Sequence, residues 1–372
     1  MSIDTPLKAE HEKLATSFGE YFGCTLPRDY GNAAREYKFA RESVGLIDTN
    51  YHAVISFTGQ DRARYLNAML TNNIRDLAPG HGNISLLLSP QGRILAEAET
   101  LALDDCLLVI SHAMIRARLV ETFDKFIIMD DVVLEDRTDS TGTLALQGPK
   151  APDIVRELCT LDVEALPERG HAEKQIDGIS CRVVKHSVGS VHAAEFIVAR
   201  ENVQPLWNLL LEAARRHGGG PVGYEALNVL RLEAGIPWYG VDFDENQIPH
   251  QAALEKTHIN FSKGCYTGQE IVERVRSRGH IQRQRVMLQF AGGAIPRAGE
   301  PLFASNAEGK TEVRAEVGFV SSAAQSSATS AILGMGYVRS EQSEAGSKLT
   351  WKNGDVEVVD SPAAQKKNNS CG

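Results

Sequence analysis

Twice in this chain a short apolar run ends at a glycine turn and is followed by a segment with one apolar face. Residues 54–57, Val54-Ile55-Ser56-Phe57, form the first run, and the segment after Thr58 carries Ala63, Leu66 and Leu70 at helical spacing. Residues 144–147, Leu144-Ala145-Leu146-Gln147, form the second, followed by Gly148-Pro149 and a segment with Ile154, Val155 and Leu158. Four-residue apolar runs are too short for helices and read as strands, whereas apolar residues three and four apart read as one face of a helix. The recurrence predicts a duplicated α+β module, with Thr58 as the cap of its first helix.

The pattern extends on both sides of the second unit. Ser111 is placed to cap a further helix whose Ile115, Leu119, Phe123 and Ile127 lie four apart along one stripe. Another helix is expected over 203–216, with Leu206, Leu209, Leu210 and Ala213 inward, stopping at Gly218-Gly219-Gly220. A last one is expected over 224–234, ending on Gly235. After Ile281 the texture changes to short alternating strands separated by Gly, Pro and Ser, and Asn353-Gly354 is a hairpin signal. A length of 372 residues suits two or three domains. The polar stretch 361–372 is expected to be disordered.

Charge and cysteine usage exclude several classes of function. A net charge of -9 argues against bulk attraction to nucleic acid. The six cysteines, Cys24, Cys106, Cys159, Cys181, Cys265 and Cys371, lack C-x-x-C spacing, so neither a disulfide framework nor a thiolate metal site is expected. Reduced thiols in a cytoplasmic protein are the simplest expectation. No apolar run approaches the ~20 residues of a membrane helix, so no membrane association is expected. Gly218-Gly219-Gly220-Pro221-Val222-Gly223 fits G-x-G-x-x-G formally, but it follows a helix and contains Pro221 where a phosphate-cradling turn should enter a helix.

The octet Lys263-Gly264-Cys265-Tyr266-Thr267-Gly268-Gln269-Glu270 is the most chemically suggestive stretch. A thiol set between glycines, two residues after an ammonium group and just before a helix start, is placed where a thiolate is favoured. Thr267 and Glu270 have the spacing of a capping box, which would start the helix near Gly268. The plain alternative is a free cysteine used as a small buried hydrophobe. Arg231 flanks the apolar stripe of its helix, and its default partner is a carboxylate such as Glu233 or Asp242. Arg274, Arg276, Arg278, Arg283 and Arg285, with His280, form a basic run that is either a solvated face or a guide for a polyanionic ligand.

The octet, the block 223–237 (Gly223 to Pro237, containing Leu230-Arg231-Leu232-Glu233-Ala234-Gly235), Val44-Gly45-Leu46-Ile47-Asp48, Leu70-Thr71-Asn72-Asn73, and 333–338 together resemble the YgfZ branch of the glycine-cleavage T-protein superfamily. The resemblance runs from about Gly45 to about Trp351. It implies an α+β, aminomethyltransferase-like cloverleaf of three domains: two interleaved folate-binding modules (1–50 with 141–240, and 51–140 with 241–280), a C-terminal β-barrel (281–360) and a tail (361–372). It further implies tetrahydrofolate as the bound cofactor, held by Arg231, Asn72, Tyr266, Gln269 and Glu270. Cys265 is then the functional thiol, with Lys263 beside it, and iron-sulfur client proteins or assembly factors are the partners.

Two departures separate the chain from the family's aminomethyltransferases. Where those enzymes carry an aspartate pair after a Gly-rich turn, this chain has Ala96 and Glu97, and where they carry an acid that holds the pterin it has Val191. Glu97 or Glu195 is the substitute acid if the register differs by a residue or two. The expected function is therefore tetrahydrofolate binding in support of iron-sulfur enzymes, with folate-dependent aminomethyl transfer as the rival.

Overall fold

A computed structural model describes residues 2–14, 17–188, 191–279, 281–305 and 315–361. The expected tail from 362 onward, Cys371 and His280 lie outside the described residues. The chain divides into two compact units: 1–90, 95–227 and 258–267 in the first, 91–94, 228–257 and 268–372 in the second.

The first unit contains both strand-turn-helix repeats. A six-stranded sheet has the order His171–Ile176, Ile179–Val188, Val191–Ala199, Thr141–Gln147, Gly45–Asp48, Gly220–Pro221. Helices Ala151–Cys159 and Val203–Arg216 cover it, joining Leu46, Leu144 and Phe196 of the sheet with Ile154, Val155, Leu206, Trp207 and Leu210 in one core. Each fully buried side chain of this kind contributes about 1.5–3 kcal/mol. A five-stranded sheet has the order Gly82–Leu88, Ile94–Ala102, Leu107–His112, His52–Thr58, Val133–Asp136. Helices Arg62–Met69 and Arg116–Lys125 cover it, with Leu66, Met69, Leu119 and Phe123 against Ile55, Phe57 and Val109. Val54, Leu108, Ile110, Val184 and Ile197 form a further cluster that joins the two sheets.

Helix positions follow the sequence expectation, and two of the expected caps do not. Thr58 is the last residue of its strand, and the helix starts at Arg62 after a reversal at Gly59, whose φ is +95°. A side chain at Gly59 would collide with the Asp131 carbonyl, so only glycine fits there. Ser111 ends within a strand, and its hydroxyl donates to the Glu97 carbonyl at 2.6 Å instead of capping a helix. In the Gly218-Gly219-Gly220 stretch, a Cβ on Gly219 would sit 1.9 Å from the Val44 carbonyl oxygen. Gly220 and Pro221 pair with Gly45 and Leu46, so the stretch serves close backbone packing.

The second unit is dominated by a closed six-stranded barrel, ordered Arg283–Phe290, Ile332–Arg339, Glu316–Gln325, Pro301–Ala304, Lys348–Trp351, Gly354–Val359. Its interior is Val286, Leu288, Phe290, Leu302, Val320, Val338, Leu349, Trp351, Val356 and Val358. The expected hairpin is present: Trp351 pairs with Gly354, making Lys352-Asn353 the two-residue turn and Gly354 the first residue of the return strand. The α+β fold with its terminal barrel is thus the fold class expected from the sequence.

Candidate functional site

Strand Ile94–Ala102 decides which face of the first unit carries chemistry. Successive strand residues point to opposite sides. Ile94, Ala96 and Ala98 are buried, the two alanines among Ile55, Leu87 and Val109, so Glu97 and Glu99 share the other side. Glu195, from the middle of strand Val191–Ala199, is also buried. Histidines from three neighbouring elements complete the group. His52 opens strand His52–Thr58, His112 pairs with it across the ladder, and His186 lies near the end of strand Ile179–Val188.

The contacts link five of these groups into one ionic chain, from His52 through Glu195, His186 and Glu99 to Arg169, with Glu97 and His258 as a separate pair. His52 Nδ1 lies 2.8 Å from Glu195 Oε1, and His186 Nε2 lies 3.2 Å from Glu195 Oε2 and 3.4 Å from Glu99 Oε1. Arg169 Nε lies 3.4 Å from Glu99 Oε2, and His258 Nε2 lies 2.9 Å from Glu97 Oε1. Side-chain exposures of 7 to 22% in this set mean that solvent reaches its edge. Tyr51 stacks with His112 at a ring separation of 5.8 Å and lies against Phe22 at 4.4 Å, giving the face an aromatic border.

Three carboxylates this close remain ionised only because cations are interleaved. Burial acts against the Glu195 charge, yet His52 and His186 outweigh it and hold this carboxyl below the usual range. Glu97 and Glu99 are shifted the same way, burial being outweighed by His258 in one case and by His186 and Arg169 in the other. Burial likewise opposes the His186 charge, but Glu99 and Glu195 raise its pKa to about 10. His112 goes the opposite way: burial, with His52 nearby, lowers it to about 4, so it is neutral at pH 7. The Tyr51 hydroxyl is pushed far up by burial and by Glu195, Glu97 and Glu99, so it is a donor at any ordinary pH.

Glu97 differs from Glu195 in how its oxygens are used. Both oxygens of Glu195 are engaged by histidines. Glu97 gives one oxygen to His258, and its other oxygen has no partner among the described residues. Glu97 is therefore the carboxylate free to accept N–H donors of a ligand or to exchange a proton with it.

The octet and the other candidates are distributed differently. Lys263 is partly buried, and its ammonium donates to the carbonyls of Asn67, Leu70 and Asn72, between 2.5 and 2.8 Å. Those carbonyls include the C-terminal end of helix Arg62–Met69, where a cation is favoured. Burial, together with the Arg75 charge, pulls the Lys263 pKa down to about 7, and the three acceptors oppose this by stabilising the ammonium. All three of its protons are used in holding the chain. The Asn72 side chain is likewise occupied, donating to the Ile84 carbonyl at 2.9 Å and accepting from Asn73 N at 2.8 Å. Tyr266 is buried, with Lys263 Nζ 5.2 Å from its ring centre. Cys265 is exposed, whereas Cys24, Cys106, Cys159 and Cys181 are buried, and burial raises each of their thiols.

The expected capping box does not form. Gly268, with φ +81°, is the N-cap of helix Gln269–Arg278. Glu270 is then one position too early to reach back, and it pairs with Arg274 at 2.6 Å on the solvent side instead. Arg276 pairs with Glu273 at 3.5 Å, so this part of the basic run is neutralised along its own helix. Arg231, in the second unit, is buried and paired with Asp242, as its default reading expected. The sequence reading passed over Glu99, His52, His112, His186, His258 and Arg169. The alternation Ala96-Glu97-Ala98-Glu99 was the available signal: two acids on one face of an otherwise apolar strand.

Comparison with known proteins identifies the lineage. The GCVT N-terminal domain matches residues 7–263, and the glycine cleavage T-protein C-terminal barrel domain matches residues 283–363. An aminomethyltransferase of Chloroherpeton thalassium is 27% identical over 93% of this chain and 93% of its own length. One from Rubrobacter xylanophilus is 26% identical over 98% and 95%. The crystal structure of glycine cleavage system aminomethyltransferase T from Bartonella henselae superposes with a TM-score of 0.86 at 23% identity, covering 98% of both chains. The chain belongs to the glycine cleavage T-protein family.

Proposed function

We propose, with that membership as the premise, that the Glu97 face binds a reduced folate and that Cys265 is a working thiol in a YgfZ-type role supporting iron-sulfur enzymes. The observation that carries the folate assignment is the half-occupied carboxylate of Glu97 beside Tyr51 and His112. A pterin ring presents an amino group and a ring N–H side by side, and a carboxylate oxygen fixed from behind suits them. The thiol assignment is supported by contrast: Cys265 is exposed while the four other described cysteines are buried. Lys263 supports it differently from expectation, by anchoring the start of the octet on three carbonyls. Arg231, engaged by Asp242, acts in this proposal through the packing of its own unit. Tyr266, Gln269 and Glu270 stay in it as neighbours of Cys265 in sequence.

Folate-dependent aminomethyl transfer is the second reading, and two observations favour it. The relatives found carry that name. In addition, Glu97 lies on the side of its strand away from the apolar core, so an alanine at position 96 removes no acid from that face. The deciding experiment titrates the purified protein with tetrahydrofolate by calorimetry and, in the same preparation, assays aminomethyl transfer from a lipoylated carrier. Binding without transfer supports the first reading. Transfer overturns it in favour of the second, and absence of folate binding overturns both.

A further inference from the structure

We propose that His258 is a positioning residue for Glu97, holding that carboxylate ionised and oriented with its second oxygen directed toward the ligand. The inference rests on the folate reading of this face and adds a residue to it. Glu97 has 21% side-chain exposure and His258 has 8%, so the histidine closes off the inner side of the acid while the acid itself reaches the edge. The link is specific: Nε2 of His258 meets Oε1 of Glu97 at 2.9 Å.

The histidine is itself fixed by its backbone. Its carbonyl accepts from the Thr71 hydroxyl at 2.7 Å, Thr71 Oγ1 in turn accepts from Leu86 N at 2.8 Å, and Asn260 N donates to the Thr71 carbonyl at 3.1 Å. Thr71 is fully buried, so this tie has little freedom. A ligand-directed carboxylate with its second oxygen held by a rigid imidazole has lost the rotation that would otherwise oppose binding. The titratable and charged groups that face Glu97 are His258 at the end of the short helix Glu255–His258, His112 from strand Leu107–His112 and Arg169 from the turn before His171–Ile176; the Tyr51 hydroxyl senses its charge as well. Of these, His258 makes the hydrogen bond to it. With His258 removed, burial acts on Glu97 with less opposition and favours the protonated acid, which donates where an N–H group of the ligand requires an acceptor.

The test uses the full-length protein carrying 13C-labelled glutamate carboxyls, with the Glu97 resonance assigned by its loss in Glu97→Gln. In His258→Leu the Glu97 titration should move up by about one pH unit or more, and His258→Gln, which keeps a neutral donor, should give a smaller shift if the leucine variant folds poorly. Calorimetry with tetrahydrofolate should show about tenfold weaker binding at pH 7 in His258→Leu. The low-pH loss of binding should begin at higher pH, and the histidine substitution should add nothing in a Glu97→Gln background. A Glu97 resonance that titrates identically with and without His258, or strictly additive losses in the double variant, would overturn the inference alone. Failure of the unmodified protein to bind tetrahydrofolate would overturn the folate reading on which it rests.

Discussion

Arg231 and Asp242 form an ion pair in which neither side chain is more than 3% exposed. Asp242 also accepts from the hydroxyls of Ser321 and Ser322 at 2.6 Å and from Trp238 N at 3.0 Å, and the Arg231 guanidinium lies 4.8 Å from the centre of the Trp238 ring. Removing one member of such a pair strands the other as a buried charge. Arg231→Ala should therefore cost about 3–5 kcal/mol of stability, measured as a lowered guanidinium midpoint. Lysine should rescue little of it, because the Nε bond to Asn228 and the Nη1 bond to Asp242 come from separate corners of the guanidinium. A variant of near-native stability that has lost folate affinity would instead make Arg231 a direct ligand contact.

Placing an aspartate at position 96, where the sequence resemblance leads one to expect it, should fail. Ala96 is 1% exposed and packed in the hydrophobic core of the five-stranded sheet. An aspartate there buries a carboxylate without a partner, at a cost of about 4 kcal/mol or more. Ala96→Asp should be poorly soluble or lose cooperative unfolding by circular dichroism, whereas Glu97→Asp should fold. A well-folded Ala96→Asp protein with increased folate chemistry would show that the face assignment of this strand is inverted.

Stability should fall on both sides of a plateau set by the interleaved network. His186 has a folded pKa raised to about 10 from an ordinary 6.5, so its contribution is complete below pH 6.5 and is lost as pH rises toward 10. Glu97, Glu99 and Glu195 are lowered, so their contributions are present above pH 4.5 and are lost as pH falls. For these four groups the plateau should lie between about pH 5 and 6.5, with the buried neutral His112, lowered to about 4, tilting it downward as pH falls below 6.5. In His186→Leu the alkaline decline should flatten, while stability at pH 6 drops by roughly 2–3 kcal/mol as Glu99 and Glu195 lose the charge between them. Melting temperatures from pH 5 to 10 provide the check, and an unchanged alkaline slope would remove His186 from this role.

What the sequence made legible was whatever depends on local period. The helix over Val203–Arg216, the strand-turn-helix repeats, the barrel texture after Ile281 and the hairpin near Asn353 all rest on apolar spacing and turn chemistry within a few residues. Caps were less legible, because Thr58 and Ser111 are taken up by their strands: Thr58 ends one while the helix starts only at Arg62, and Ser111 donates to the Glu97 carbonyl. The ionic face was the least legible. His52, His112, His186 and His258 converge from separate elements, and no spacing announces such convergence. Glu97 and Glu195 were in view as substitute acids, but the decision between Ala96 and Glu97 required knowing which face of the strand meets the core.

Lys263 tests whether the first residue of the octet supports the chain or the chemistry. Its three carbonyl contacts predict that Lys263→Met loses roughly 1.5–3 kcal/mol. Arginine should not restore the loss, since a planar fork does not match three acceptors arranged around a point charge. Denaturant titration decides this. Unchanged stability in Lys263→Met would leave the ammonium free for a role at Cys265.

Cys265 separates the two proposed functions. Because it is exposed, Cys265→Ala and Cys265→Ser should each stay within about 0.5 kcal/mol of the parent and should keep tetrahydrofolate affinity. A buried packing thiol would behave otherwise, with serine costing more than alanine. If the thiol works in support of iron-sulfur enzymes, both substitutions should abolish rescue in a complementation assay that reads the activity of such an enzyme. If the chain is an aminomethyltransferase, both should leave transfer from the lipoylated carrier intact, because that reading assigns the chemistry to the carboxylate face. A Cys265→Ala variant fully active in complementation would leave the octet a structural element and the Glu97 face as the basis for function.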